Sequence, residues 1–386
     1  MRNSIFWLAL ILISLNLRPA LTSIAPVMEV IVNDLSVSRA NAELIMTIPV
    51  LLMGLLAPLS PLLARKFGQE LILTATMAVL VIAFTLRFFS QSNFNLLLLS
   101  SFFTGCAIAI AGPLMSGFIK QHFSKNIGVA VALYSVCISL GASIAVAMTI
   151  PIIDYTGGGW EIGLSAWGFI ALVTFFILIL FLPKTKDKQA LTSNHRKLPL
   201  HSFKAWLLTL FFSAQAGIFY AFSTWIVAHY EQVGFTNTYS SVLASAFMAS
   251  GMIGALVIPI VASKLLNRRK LIVAVTMNST LLILGIAWFP NLYPIFVVSA
   301  LGICTSGTFA LALALPVLES ESPHKASQLS SMMSLFGYLL GGLTPSFIGI
   351  SRDFTGDFSW PFTLLSVLSG CMVIIAFLLP NSPPKK

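Results

Sequence analysis

The chain has 386 residues, of which 57% are hydrophobic and only 9% charged, with a formal net charge of +10. A soluble globular domain carries about 25% charged residues, so this composition excludes a water-soluble enzyme or binding module and implies a polytopic membrane protein. The basic residues fall in short connections between apolar runs, which argues against a nucleic-acid partner and for a lipid bilayer.

Apolar runs long enough to cross a bilayer (about 20 residues) give twelve segments, at 4–32, 40–63, 70–89, 94–118, 127–152, 161–182, 204–230, 237–263, 271–289, 292–318, 328–350 and 359–380. The one long polar connection, 183–203, is basic and separates two halves. The expected fold is an all-α membrane protein: an N-terminal six-helix bundle over 1–182, a cytoplasmic basic linker over 183–203 and a C-terminal six-helix bundle over 204–386. The first segment continues past the length of a signal-peptide core and is read as a retained helix. Cys106, Cys137, Cys304 and Cys371 lie inside apolar runs with no metal-ligand spacing and read as small buried hydrophobes.

The first segment carries Arg18 immediately before Pro19. A helix rise of ~1.5 Å per residue puts Arg18 roughly 20 Å along from Ile5, beyond the middle of a ~30 Å hydrocarbon layer. A guanidinium keeps its charge at any accessible pH, and such a charge at the bilayer centre costs at least ~2.5–3.5 kcal/mol. Pro19 removes a backbone donor and opens the helix locally. A permanent cation beside a helix break at membrane depth marks a candidate solute site. The competing reading is an Arg that snorkels or joins a structural pair.

Lys and Arg set the orientation. With a cytoplasmic N-terminus, eighteen of the 22 basic residues fall inside, Arg39, Arg87 and Arg352 fall outside, and Arg18 is within the membrane. The expectation is a multi-pass protein of the inner (plasma) membrane with both termini cytoplasmic.

The halves repeat. Leu71-Ile72-Leu73-Thr74-Ala75-Thr76-Met77 returns as Leu271-Ile272-Val273-Ala274-Val275-Thr276-Met277. Asp154-Tyr155-Thr156-Gly157 with Trp160 returns as Asp353-Phe354-Thr355-Gly356 with Trp360, and Pro113 has a counterpart in Pro316. Two parallel six-helix repeats are the architecture of major facilitator transporters, which hold solute near the midplane between the halves.

Asn16-Leu17-Arg18-Pro19-Ala20-Leu21-Thr22-Ser23 resembles the first-helix signature of the cyanate and nitroimidazole transporter branch of that superfamily. Arg87, Leu97-Leu98-Leu99-Ser100-Ser101, Ile119-Lys120, Tyr220, Trp225 and Arg268-Arg269-Lys270-Leu271 extend the likeness over essentially the whole chain. Members of this branch move unlike small molecules, so the resemblance implies transport without naming the solute. Two departures stand out. The loop between the second and third segments has Arg65 where the superfamily pattern has an acid, and the fifth has Gly141-Ala142-Ser143-Ile144 in place of the antiporter Gly-Pro motif.

On the first segment Arg18 and Thr22 share one helical face, and Asn16 and Ser23 another. Asn16 has a second reading, as a donor to carbonyls loosened by Pro19. The seventh segment carries Ser213, Tyr220 and Thr224, with Gln215 and Trp225 on other faces. Tyr220 and Trp225 supply flat walls for a small solute, or, for Trp225 especially, an interfacial anchor. Ser135, Ser139 and Ser143 in the fifth segment, and Ser330, Ser334, Tyr338 and Gly341 in the eleventh, read as close-packing stripes. Pro19, Pro113 and Pro316 are candidate bends or gates. Arg87 reads as an interfacial charge, and His229 and Glu231 as the interfacial end of the seventh segment. No acid lies at mid-helix; Glu29, ~16 Å beyond Arg18, is the candidate for proton coupling.

The function expected is a non-enzymatic secondary transporter for a small anionic, cyanate-like solute, acting as a monomer without a cofactor. Arg18 would hold the solute, with Asn16, Thr22, Tyr220, Gln215 and Trp225 around it, and a proton is the candidate coupling ion. The alternatives are an exporter of small neutral drug-like compounds of nitroimidazole type, and a membrane sensor that binds without transport.

Overall fold

A computed structural model describes residues 2–37, 39–42, 44–182, 198–265 and 267–379, so most of the expected linker lies outside the described residues. Every regular element among the described residues is helical. The first half contains α1 (Arg2–Asn16), α2 (Pro19–Thr22), a 3-10 turn (Ala25–Val27), α3 (Met28–Asp34), α4 (Arg39–Ala42), α5 (Leu44–Leu55) and α6 (Leu59–Phe67). It continues with α7 (Gln69–Phe88), α8 (Phe94–His122), α9 (Ile127–Thr156), α10 (Trp160–Ser165) and α11 (Trp167–Phe181). The second half has α12 (Phe203–Val233), α13 (Asn237–Lys264), α14 (Arg268–Trp288), α15 (Pro294–Glu319), α16 (Pro323–Thr355) and α17 (Ser359–Leu378).

Among the described residues, eleven helices are long and apolar enough to cross a membrane, and α5 with α6 makes a twelfth if that bent pair is one span. The segment expected at 40–63 is therefore two helices, Leu44–Leu55 and Leu59–Phe67, meeting at 64°. Pro58 stands at the junction and lacks the N–H that would continue the ladder to Gly54. One compact unit comprises Met1–Leu198 with Ser320–Leu335, and the other Pro199–Glu319 with Phe336–Lys386.

Local chemistry fixes many helix ends. The Asn93 side chain accepts from the backbone N–H groups of Asn95 and Leu96 to start α8, and Ser202 accepts from Ala205 to start α12. Thr236 and Asn267 do the same for α13 and α14, each such cap being worth about 1 kcal/mol. The sequence repeat reappears as a shared terminator. Gly157 (φ 63°) ends α9 and Gly356 (φ 83°) ends α16, each with its N–H on a carbonyl four residues back, at 2.9 and 2.8 Å. A left-handed residue after the last turn is the conformation glycine adopts without penalty.

Internal prolines are matched by donors from elsewhere. Pro113 lies inside α8 and leaves the Ala109 carbonyl without its helical partner, and Ser60 Oγ donates to that oxygen at 3.1 Å. In the first unit an apolar layer of Ile24, Val27, Ile31, Ile45, Leu97, Trp160 and Leu164 packs around the end of the first span. Trp160 is buried there with its Nε1 donating to Asp34 Oδ2 at 3.1 Å. Large apolar side chains such as Phe169, Leu180 and Phe296 point outward, as lipid contact requires. Packing between such helices is held by close contact rather than by escape from water.

Candidate functional site

The site begins with a missing hydrogen bond. Pro19 has no N–H to give to Leu15 O, so α1 stops at Asn16 and the chain turns through Leu17 and Arg18 before α2 starts. Leu17 N falls back on Ser14 O at 3.3 Å, while Leu21 N and Thr22 N both reach Arg18 O, at 2.9 and 3.0 Å. The break lies within the span Ser4–Val27, and Arg18 is half-buried at it, with φ −115° and ψ −32°.

Three neighbours hold the break open. Thr22 Oγ1 shares its proton between Arg18 O at 3.2 Å and Ala142 O of α9 at 3.1 Å. Beside Ala142, Gly141 lies so close to the first span that an added Cβ would collide with the Leu15 carbonyl, the same oxygen that Pro19 leaves without its helical donor. Asn16 Nδ2 donates to Leu12 O at 2.8 Å and to Thr174 Oγ1 of α11 at 3.0 Å. Asn16 thus ties α1 to α11, and the carbonyl it serves is Leu12, not the one loosened by Pro19. Ser23 is buried just past α2.

Arg87 differs most from the sequence reading. It is 0% exposed, a charge enclosed by the protein instead of one facing water or lipid headgroups. Its Nη2 donates to Ala20 O at 2.6 Å, and its Nε reaches Ser100 Oγ at 3.4 Å. The guanidinium also lies 5.4 Å from the Phe84 ring centre. Arg87, in the last turn of α7, therefore grips the backbone two residues past Arg18. One signal was available: the apolar run does not stop at Arg87 but continues through Phe88-Phe89.

A second buried charge was also missed. Glu70, at the start of α7, is 2% exposed, with His122 Nε2 3.0 Å from its Oε1 and Gln121 Nε2 donating to the same oxygen at 3.4 Å. The loop that carries Arg65 at the expected acidic position thus has a buried acid five residues on, held against the end of α8. The side chain of Glu29 lies outside the described residues.

In the second unit, Gln215, Tyr220 and Trp225 all belong to α12, but their surroundings differ. Gln215 is 1% exposed; its Nε2 donates to Thr305 O at 2.6 Å and its Oε1 accepts from Thr308 Oγ1 at 2.8 Å. That amide is a clamp between α12 and α15. Trp225 is half-buried and donates from Nε1 to Pro345 O at 2.8 Å, with Phe358 5.6 Å from its ring. Tyr220 is half-buried, its ring edge-on to Phe219 at 5.8 Å. Pro316 lies inside the continuous helix α15. His229, near the end of α12, is buried within the protein, donating to Ile286 O at 3.1 Å with Phe362 4.8 Å from its ring. Arg18, Pro19, Thr22 and Asn16 are therefore gathered on one break, whereas of the α12 residues Gln215 is closed off by its own partners.

The Cyanate transport protein CynX of Escherichia coli (strain K12) is 27% identical over 370 residues, covering 95% of each chain. The 2-nitroimidazole transporter of the same strain is 27% identical over 381 residues, 97% of this chain and 95% of that one. Among solved structures, the proton:xylose symporter XylE superposes with a TM-score of 0.78 at 10% identity, over 100% of this chain and 97% of that chain, which speaks to the fold alone. The family description of the Major Facilitator Superfamily matches residues 6–345. The chain is a transporter-type, multi-pass membrane protein that belongs to the Major Facilitator Superfamily.

Proposed function

We propose that the protein is a secondary transporter of a small anion, cyanate-like in size and charge, which it moves across the plasma membrane by alternating access. The observation that carries this reading is the half-buried Arg18 at a proline-made break inside a membrane span. A guanidinium offers parallel N–H donors in a planar fork, which fits a carboxylate-like or linear anion better than a point charge does. The relative named for cyanate transport supports the same class of solute. Thr22 holds the break, and Tyr220 and Trp225 are assigned to the solute path of the second unit. Both termini are assigned to the cytoplasm on the distribution of lysine and arginine.

A second reading, export of a neutral aromatic compound, is favoured by the half-buried rings of Tyr220 and Trp225 and by the relative named for 2-nitroimidazole. Counterflow in proteoliposomes separates the two by which labelled solute, cyanate or 2-nitroimidazole, exchanges across the bilayer. Saturable exchange of labelled cyanate that disappears in Arg18→Ala is the expected result. Exchange of 2-nitroimidazole with no exchange of cyanate, at a rate indifferent to Arg18, would replace the first reading with the second. No exchange of either leaves a binding protein in place of a carrier.

A further inference from the structure

Away from Arg18, the first unit buries a second guanidinium whose charge no carboxylate balances. Arg87 has no ion-pair partner among the described residues; it gives Nη2 to Ala20 O and Nε to Ser100 Oγ, and its Nη1 is buried without an acceptor. Three hydroxyls of the same unit share that condition: Ser23 Oγ, Ser101 Oγ and Thr104 Oγ1 are buried with no hydrogen-bond partner. This is unusual within the chain. Its helical Ser and Thr hydroxyls commonly donate back to a carbonyl one turn earlier, as Ser100 does to Leu97 O and Thr149 to Ala145 O.

These orphaned groups share neighbours along the chain and across it. Arg87 bridges Ala20 on one side and Ser100 on the other. Ser100 and Thr104 are neighbours four residues apart on α8, with Ser101 one turn beyond Leu97. Leu97 packs with Ile24 and Val27, and Ser23 precedes Val27 by one turn. Ser23 also lies three residues past the carbonyl that Arg87 holds, and Ser101 and Thr104 lie one and four residues past its other partner, Ser100. The apolar layer of Ile24, Val27, Ile45 and Leu97 beside them is itself buried.

We propose that Arg87, Ser23, Ser101 and Thr104 form an enclosed site for a small monovalent inorganic anion of halide size, held as a resident ion distinct from the solute at Arg18. The chemistry favours an anion over water. Two Nη1 N–H groups and three hydroxyls present up to five donors, and a buried cation needs a negative charge, which water does not bring. A resident anion would fix Arg87, and through Ala20 O would fix the break that carries Arg18. The site stands independently of what Arg18 binds.

The test is thermal unfolding of the purified full-length protein in lipid nanodiscs, in sodium chloride against sodium gluconate at equal ionic strength. Chloride and bromide should raise the melting temperature saturably, and gluconate, too large for an enclosed site, should not. In S101A/T104V the half-saturating chloride concentration should rise about tenfold, equivalent to about 1.4 kcal/mol. Ser23→Ala, which leaves α8 untouched, should weaken it in the same direction. Arg18→Gln should keep the full chloride response, which separates failure of this site from failure of the solute assignment. Equal melting in chloride and gluconate would mean that only water or bare protein fills the cluster, and would overturn the proposal. So would a chloride response unchanged in both S101A/T104V and Ser23→Ala, because that would be a general salt effect.

Discussion

Arg87 Nη2 donates to Ala20 O at 2.6 Å, so a charged side chain from α7 holds the backbone of the first span two residues past the break at Arg18. Removing Arg87 leaves a buried carbonyl without its donor and a side-chain-sized void. Arg87→Ala should cost about 1–3 kcal/mol for the unpaired carbonyl, plus the packing loss. Arg87→Met fills the volume without carrying the charge, so it should melt nearer the wild type than Arg87→Ala does. Both should transport poorly, because neither fixes Ala20. Melting curves set beside counterflow rates check this, and full transport in Arg87→Met would mean that the contact does not position the break.

Pro113 and Ser60 form a second compensated pair. Ser60→Ala should cost about 1–3 kcal/mol, because the Ala109 carbonyl then has neither a helical donor nor the hydroxyl. Pro113→Ala restores an N–H to that carbonyl, so the double variant should lose much less than the two single losses combined. A double-mutant cycle reads the coupling directly, and simple additivity would show that the two residues act apart.

Gly141 lies where a Cβ would meet the Leu15 carbonyl oxygen. Gly141→Ala should force α1 and α9 apart and cost about 1–3 kcal/mol, the usual range for overpacking. The expected signature is a lower melting temperature together with loss of solute exchange, since the displaced backbone is the one that precedes Arg18. An unchanged melt would show that the first span can shift without penalty.

Arg18→Lys keeps the charge and loses the planar fork. If the fork holds the solute, Arg18→Lys should lose most counterflow while expressing normally, and Arg18→Ala should lose all of it. Counterflow by Arg18→Ala at the wild-type rate would remove Arg18 from the solute site.

Orientation rests on eighteen inside against three outside basic residues. Reporter fusions should place Gly158 outside and Asn194, in the basic segment beyond the described residues, inside. The reverse pattern would invert the topology.

The sequence by itself determined the class, the membrane segments and the repeat, because each is written in local composition. Twenty-residue apolar runs, clustered lysine and arginine, and the paired Asp-x-Thr-Gly ends need no distant partner to be read. Gly157 and Gly356 adopt the same left-handed cap for the same local reason. The break at Arg18-Pro19 was legible too, since a proline's missing N–H is a property of one residue. Only the tertiary structure decided what surrounds that break. Arg87, Ser100 and Ala20 are brought together from three separate stretches of chain, and nothing in the apolar run around Arg87 names a carbonyl 67 residues away. Gln215 looked like a solute ligand by type and became a clamp because Thr305 and Thr308 sit opposite it. Glu70, which no sequence motif singled out, is buried against His122. A polar side chain in a membrane protein must find partners; its identity says how many it needs, and only the packing of helices says which.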